Sequence, residues 1–152
     1  MTIFTTSHPR NCQRGFTLIE VLVTVLILAI GLLGLAGLQT TALRSNHSAY
    51  LRSQATVLAY DIVDRLRANR DAALAGQYNT SIGGGASGSG MVATDLAAWK
   101  GNLQAMLPSG DGAIALAAGG RFTITVQWDD SRGAISEGAG VTTKQFVLRT
   151  DL

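Results

Sequence analysis

A single carboxylate stands in a long apolar stretch of this 152-residue chain. Glu20 is the only charged side chain from residue 15 to residue 43, and the 18 residues 21–38 contain one polar side chain, that of Thr24. A carboxylate inside an apolar segment is costly, and such residues commonly pair with a charge or mark a functional site. The alternative is a side chain that extends to the polar edge of the segment. Chemistry alone leaves both interpretations open.

The apolar segment is long enough to cross a membrane. At ~1.5 Å per residue, a helix over residues 16–38 would be about 34 Å long, against roughly 30 Å for the hydrocarbon core of a bilayer. A core helix of a soluble protein normally keeps a polar face, and this segment has none. Two arginines precede it and two follow it closely, so the positive-inside rule does not decide its orientation. We predict a membrane helix.

A cleaved secretory signal is an alternative interpretation of the same segment. Small residues at Gly34 and Ala36, or at Thr40 and Ala42, would suit signal peptidase. The apolar run is longer than the usual signal core of roughly 7–15 residues, which favours a retained helix. Cys12 does not fit a lipoprotein signal, because polar residues and a proline precede it.

The remaining polar residues argue against several other chemistries. One cysteine cannot form an internal disulfide, and with two histidines it cannot complete a common Cys/His zinc site. The glycine-rich residues 82–90 form a flexible loop by composition and lack the Gly-Lys-Ser/Thr sequence of a phosphate-binding loop. A lone His47 is more often solvated than catalytic, and residues 129–133 suit a turn better than a calcium loop. We expect no cofactor, no metal and no catalytic residue.

The basic pI of 9.0 is weak evidence for nucleic-acid binding, because the net charge is only +2. Arg65, Arg67 and Arg70 alternate with three aspartates over residues 61–71, which is typical of a solvated helix face, and Asp61 and Arg65 have the spacing of an ion pair. Trp99 and Trp128 are expected in or beside the core. We predict no nucleic-acid site.

Periodicity after the apolar segment predicts an α+β domain. Five apolar residues recur at spacings of four and three and form one helical stripe: Leu51, Ala55, Leu58, Ile62 and Leu66. No proline occurs between positions 9 and 108, so one helix could run from residue 16 to about residue 73. A second helix is predicted over residues 95–107, capped by Thr94 or Asp95. Three antiparallel strands are predicted over residues 113–117, 121–128 and 143–150.

Three glycines lie inside the apolar helix, at positions 31, 34 and 37. Small residues allow close helix packing in membranes. Each glycine also weakens a helix by ~1 kcal/mol relative to alanine, which would let the segment extend in a filament. The two interpretations are compatible, and both stay open.

The residues around Glu20 carry a family resemblance. They read Arg14-Gly15-Phe16-Thr17-Leu18-Ile19-Glu20, ahead of the apolar stretch. This sequence resembles the class III signal of type IV pilins and pseudopilins. The resemblance implies cleavage between Gly15 and Phe16 by a prepilin peptidase, N-methylation of Phe16, and an assembly role for Glu20. The new amine and Glu20 would both lie near a helix N-terminus, where a buried amine and carboxylate can compensate one another.

The resemblance also implies an architecture, which is a long N-terminal helix packed on a small antiparallel sheet. Residues 1–15 would be a cleaved leader, 16–43 the membrane or filament-core half of the helix, and 44–152 a periplasmic head. The head would comprise an amphipathic helix half (44–73), a glycine-rich loop (76–94), a short helix (95–107) and strands (113–150).

Scattered residues of the head resemble one group of minor pilins. They include Arg67-Ala68-Asn69-Arg70, Tyr78, Asp95-Leu96 with Trp99, Leu107-Pro108-Ser109-Gly110 and Ile124-Thr125-Val126-Gln127-Trp128. The implied function is pilus assembly, including initiation and the tip complex, from the inner membrane and then the pilus. The implied partners are prepilin peptidase, the major pilin, other minor pilins and a PilY-type tip adhesin. A minor pseudopilin of type II secretion and a membrane-anchored or secreted enzyme remain the alternatives.

Loss of the implied leader would change the charge of the chain. Residues 1–15 contain two of the 12 basic side chains, none of the 10 acidic ones and the single cysteine. The processed chain would therefore be formally neutral and free of cysteine. Its C-terminal region must be fastened without a disulfide.

Overall fold

The computed structural model describes residues 15–133 and 142–152. Within these residues the elements are α1 (Leu18–Ala68), α2 (Arg70–Leu74), α3 (Met91–Met106), β1 (Asp111–Leu116), β2 (Arg121–Asp129) and β3 (Thr143–Asp151). The chain divides into two units, one up to Gln39 and one from Thr40 to Leu152. A long N-terminal helix and a small antiparallel sheet confirm the predicted α+β, pilin-like fold.

The part of α1 that lies in the first unit is apolar and exposed along its whole length. It is the one helix of the described residues that is long and apolar enough to cross a membrane, and no residue of its apolar window is buried. A Cβ added at Gly31, Gly34 or Gly37 would meet no atom within 4 Å. The fold of the single chain therefore does not require glycine at these positions, and packing between chains or local weakening of the helix remain the reasons for them.

The second unit is built on the C-terminal half of α1. The predicted stripe is buried, and Ala59 and Val63 widen it. α3 contributes Val92, Leu96, Trp99 and Leu103 to the same core. Both tryptophans are interior, as predicted, with Trp99 0% and Trp128 2% exposed. The indole Nε1 of Trp99 donates to the carbonyl of Leu58 at 2.9 Å, which joins α3 to α1.

The three strands form one antiparallel sheet in the order β1-β2-β3. Alternation along β2 buries one face, namely Phe122, Ile124, Val126 and Trp128. Ile124 lies between Ile114 of β1 and Leu148 of β3. β1 begins at Asp111, two residues before the predicted start, and β2 and β3 each extend one residue further than predicted.

The helix boundaries differ from those predicted. α1 ends at Ala68 because Asn69 leaves the helical conformation, with φ −122° and ψ 53°, and α2 follows as one short turn. α3 begins at Met91, not at Asp95, so the glycine-rich loop is shorter than residues 76–94. Neither Thr94 nor Asp95 caps α3, because Gly90 holds that position and the Asp95 carboxylate bonds to residues outside the helix. Burial of Val92 explains why the extra turn is ordered.

Sheet pairing fastens the C-terminal region without a disulfide. β2 and β3 pair over nine residues, from Arg121 with Asp151 to Asp129 with Thr143. Arg121 Nε lies 3.2 Å from Asp151 Oδ1, and Arg70 donates to the Leu152 carbonyl at 3.1 Å. The long β2–β3 ladder and these two contacts therefore hold the C-terminal region in place without a disulfide.

Candidate functional site

The junction between residues 15 and 16 lies outside regular structure, just before α1. Phe16 is 83% exposed. A Cβ on Gly15 would meet no atom within 4 Å, so the fold does not demand glycine there. A requirement for glycine at this position would have to come from whatever approaches the backbone from outside.

Thr17 caps the N-terminus of α1. The amide of Glu20 donates to Thr17 Oγ1 at 3.3 Å and to the Thr17 carbonyl at 3.1 Å. Threonine followed three residues later by glutamate is the spacing of a capping box, and here the threonine half of it is formed. This cap was not predicted, although its spacing is visible in the sequence.

The Glu20 carboxylate lies in the first turn of α1 and is solvent-exposed. Among residues 15–133 and 142–152 it has no ion pair and accepts no hydrogen bond. The next polar side chain, Thr24, bonds within its own helix, donating to the Val21 carbonyl at 2.8 Å. Near the positive end of the helix dipole, an unpaired carboxylate can accept a cationic group from outside the chain.

A polar network in the second unit joins α1, α3 and the segment after α2. Arg65 donates from Nε to Asp61 Oδ2 at 3.2 Å and from a terminal nitrogen to Asp95 Oδ1 at 3.1 Å. The Tyr78 hydroxyl donates to Asp95 Oδ2 at 2.7 Å and accepts from Asn69 Nδ2 at 3.1 Å. The predicted Asp61–Arg65 pair is present, but Arg65 is half-buried and is not part of a freely solvated face.

Neighbouring carboxylates compensate the charge of Arg65. Burial opposes the charge of Arg65, but the hydrogen bonds and charges of Asp61 and Asp95 outweigh it and raise the pKa of Arg65. Burial, followed by the hydrogen bond to Asp95, raises the pKa of the Tyr78 hydroxyl. Tyr78 therefore remains a hydrogen-bond donor throughout the neutral range.

Two charged residues hold the start of the glycine-rich loop. Lys100 Nζ lies 3.1 Å from Asp111 Oδ1 and donates to the carbonyls of Ser81, at 3.1 Å, and Gly84. Asp111 Oδ2 accepts the amide of Gly83 at 2.5 Å. Composition predicted a flexible loop, whereas these contacts tie residues 81–84 to α3 and β1.

A polar cleft of about 240 Å³ lies beside the end of β2. His47, Ser109, Asp129 and Ser131 are among its lining residues. Ser131 donates to Asp129, and within the described chain no hydrogen bond joins His47 to either serine. The turn predicted over residues 129–133 is formed by residues 131–133 only, because Asp129 belongs to β2. The described residues contain no group of three potential metal ligands. The contacts are those of a turn and do not assemble a nucleophile with its base.

The sequence identified the N-terminal segment but not the polar network of the head. Gly15, Phe16 and Glu20 lie within six residues, so spacing alone brings them together. Arg65, Tyr78 and Asp95 are separated by up to 30 residues and meet only through the tertiary fold. Aspartate in the middle of an apolar helix face was the one local signal that Asp95 needs a buried partner.

The comparisons with known proteins agree with this geometry. Residues 10–36 match the prokaryotic N-terminal methylation motif. Residues 37–89 match the family model of the type IV pilin Tt1218, directly after the first match. No curated protein and no solved structure is significantly similar to the chain. A methylation motif that includes the start of an apolar N-terminal helix, followed by an α+β domain, fits a membrane-anchored protein of the pilin and pseudopilin class. The chain belongs to the type IV pilin family.

Proposed function

We propose that this chain is a minor type IV pilin of the PilV kind, made as a precursor and cut between Gly15 and Phe16. Residues 1–15 are then the leader, 16–43 the anchor and filament-core helix half, and 44–152 the periplasmic head. The observation that carries the proposal is the match of residues 10–36 to the methylation motif around these positions. The exposed junction and the unobstructed Gly15 support access by a prepilin peptidase.

Glu20 acts in assembly. Cleavage creates an amine on Phe16, which is methylated, and the Glu20 carboxylate of one subunit pairs with the amine of a neighbour. An amine and a carboxylate that leave water together stabilise each other, whereas either alone would be costly to bury. The pair fixes the axial register in which a subunit enters the filament.

The assignment to minor pilins rests on the head. Asn69, Tyr78 and Asp95 are among the residues that resemble this group, and here they form one hydrogen-bonded chain. The protein waits in the inner membrane, enters the pilus during initiation and remains in a tip complex. Its partners are prepilin peptidase, the major pilin, other minor pilins and a PilY-type adhesin. Its role is structural, without catalysis.

Mass spectrometry of the N-terminus tests the proposal. We expect the protein in sheared pili to begin at methylated Phe16 and to lack residues 1–15. Gly15→Val should leave the full precursor in the membrane, because a branched side chain blocks the peptidase. Gly31→Ala is the matched control, since it also adds a Cβ where the structure has open space, and it should be processed normally.

Two results would contradict the proposal. A start after Ala36 or Ala42 would indicate a secretory signal, and an intact N-terminus in assembled material would exclude processing. Deletion of the gene should abolish twitching motility and leave exoprotein secretion intact. The reverse phenotype would make the chain a pseudopilin of type II secretion.

A further inference from the structure

The two edges of the sheet are treated differently. β1 pairs with β2, and hydrogen-bonded pairs alternate along an antiparallel ladder. The amides of Gly112, Ile114 and Leu116 therefore point away from β2. All three have partners. Ile114 exchanges hydrogen bonds with Thr80 at 2.9 and 3.0 Å, the Leu116 amide donates to Asn79 Oδ1, and the Gly112 amide donates to Asp111 Oδ1. Each of these outward amides of β1 is therefore already occupied.

The β3 edge is open. The amide of Asp130 donates to the Thr142 carbonyl at 2.8 Å, so residues 130 and 142 are a hydrogen-bonded pair. Because such pairs recur at every second residue of the ladder, the even-numbered residues of β3 bond to β2. The outward backbone groups belong to Thr143, Gln145, Val147 and Arg149. Within residues 15–133 and 142–152 these groups have no hydrogen-bond partner. An edge of this kind is a template for another strand.

The inner face beside this edge is incompletely covered. Phe146 and Leu148 pack against the core but remain partly exposed, whereas Ile124 and Val126, their neighbours on β2, are fully buried. A further strand beyond β3 would place its own alternate side chains over Phe146 and Leu148. Apolar residues at every second position would bury that surface.

The charged side chains of β3 determine which kind of strand can be added beside it. Lys144 and Arg149 have no ion pair among the described residues, while Asp151 is already paired with Arg121. The free charge of β3 is therefore positive near both ends. A second copy of β3 would add two more cations and no free acid, which disfavours self-pairing. A strand with acidic residues would compensate both cations.

We propose that β3 binds an extended segment of another protein by strand addition, and that this segment alternates apolar with polar residues and carries acidic side chains. Backbone hydrogen bonds to Thr143, Gln145, Val147 and Arg149 supply the pairing. Lys144 and Arg149 select the acidic sequence. This inference goes beyond the proposed function, because processing at Gly15 and assembly through Glu20 do not require it.

A synthetic peptide tests the edge on the full chain in detergent micelles. The probe is a fluorescent nine-residue peptide that alternates isoleucine with threonine and has a glutamate near each end. Its control has lysine at both glutamate positions. We expect at least tenfold tighter binding of the acidic peptide by fluorescence anisotropy. Hydrogen exchange at the outward amides of β3 should slow only with that peptide.

Two variants separate backbone pairing from charge. Val147→Pro removes one outward N–H and no ladder bond to β2, so it should weaken binding at least tenfold, while Val147→Thr should not. Arg149→Glu should reduce or reverse the preference for the acidic peptide, and it carries the test if the proline variant misfolds. Equal binding of both peptides, or no protection of the β3 amides, would overturn the proposal. A dimer by light scattering that Val147→Pro dissociates and that excludes the acidic peptide would assign the edge to a second copy and would also overturn the proposal.

Discussion

At the scale of single residues, the assembly role that we propose for Glu20 can be tested directly by substitution. We predict that Glu20→Gln and Glu20→Ala insert into the membrane and are cleaved normally but fall at least tenfold in sheared pili. The physical reason is that the neighbour's amine would be buried without a counter-charge, and a tenfold loss corresponds to only about 1.4 kcal/mol. Immunoblots of sheared pili and of membranes, together with the N-terminal mass, measure the three steps separately.

Thr24→Ala is the matched control for these variants. Thr24 lies one turn beyond Glu20, and its hydroxyl bonds only to its own helix. It should reach the pilus at normal levels. Normal incorporation of Glu20→Ala would show that the carboxylate is not paired in the filament.

Asp111 makes the stability of the head depend on pH. Burial would raise the pKa of this carboxyl, but the amides of Gly83 and Gly112 and the charge of Lys100 outweigh it and hold the pKa below its ordinary value of 3.8. A lowered pKa means that the unfolded chain binds the proton more tightly. The contribution of Asp111 is therefore fully present above about pH 4 and is lost as the pH falls further through the folded pKa.

We predict that Asp111→Asn lowers the melting temperature of the head at neutral pH and flattens its decline below pH 4. Thermal unfolding monitored by fluorescence from pH 3 to pH 7 measures both effects. Asp64→Asn is the control, because its ion pair with Arg67 is exposed on the surface of α1 and should matter little at any pH. Parallel acid profiles for the wild type and Asp111→Asn would exclude this role.

At the scale of elements, the contact between α3 and β1 depends on a missing side chain. A Cβ on Gly112 would come within 2.4 Å of Trp99 Cη2 and 2.8 Å of Leu103 Cδ1. Because both neighbours are buried, we expect Gly112→Ala to destabilise the head by about 1–3 kcal/mol, as overpacking does. Denaturant unfolding of the full chain in detergent measures the change.

Gly101→Ala, on the helix against which Gly112 packs, is the opposite case. It lies in α3 with open space around its Cβ, so it should be neutral or stabilise the head by up to ~1 kcal/mol. Equal effects of the two substitutions would mean that α3 does not pack on β1 as described.

The elements themselves were largely predictable, and their ends were not. The buried stripe of α1 and the alternation in β2 are visible in the sequence because each repeats with the period of its element. The start of α3 was missed because Asp95 looks like a cap in sequence. In the structure its carboxylate is used by Arg65 and Tyr78. Tertiary contacts overrode a local signal.

At the scale of the whole molecule, a site is predictable from the sequence when its residues lie close together along the chain. Gly15, Phe16 and Glu20 lie close together in the sequence. Their types and spacing therefore predict processing and assembly without knowledge of the fold. The pairing of Lys100 with Asp111 and the open edge of β3 depend on which strands become neighbours. No periodicity encodes that choice, and only the assembled head shows it.

Both tryptophans of the chain lie inside the head, and neither lies in the apolar segment. The indole of Trp99 is held by the carbonyl of Leu58, and Trp128 is almost completely shielded from water. Their emission is therefore blue-shifted in the folded head and moves to longer wavelength when the head unfolds. The two tryptophans therefore provide an intrinsic fluorescence signal for the unfolding of the second unit.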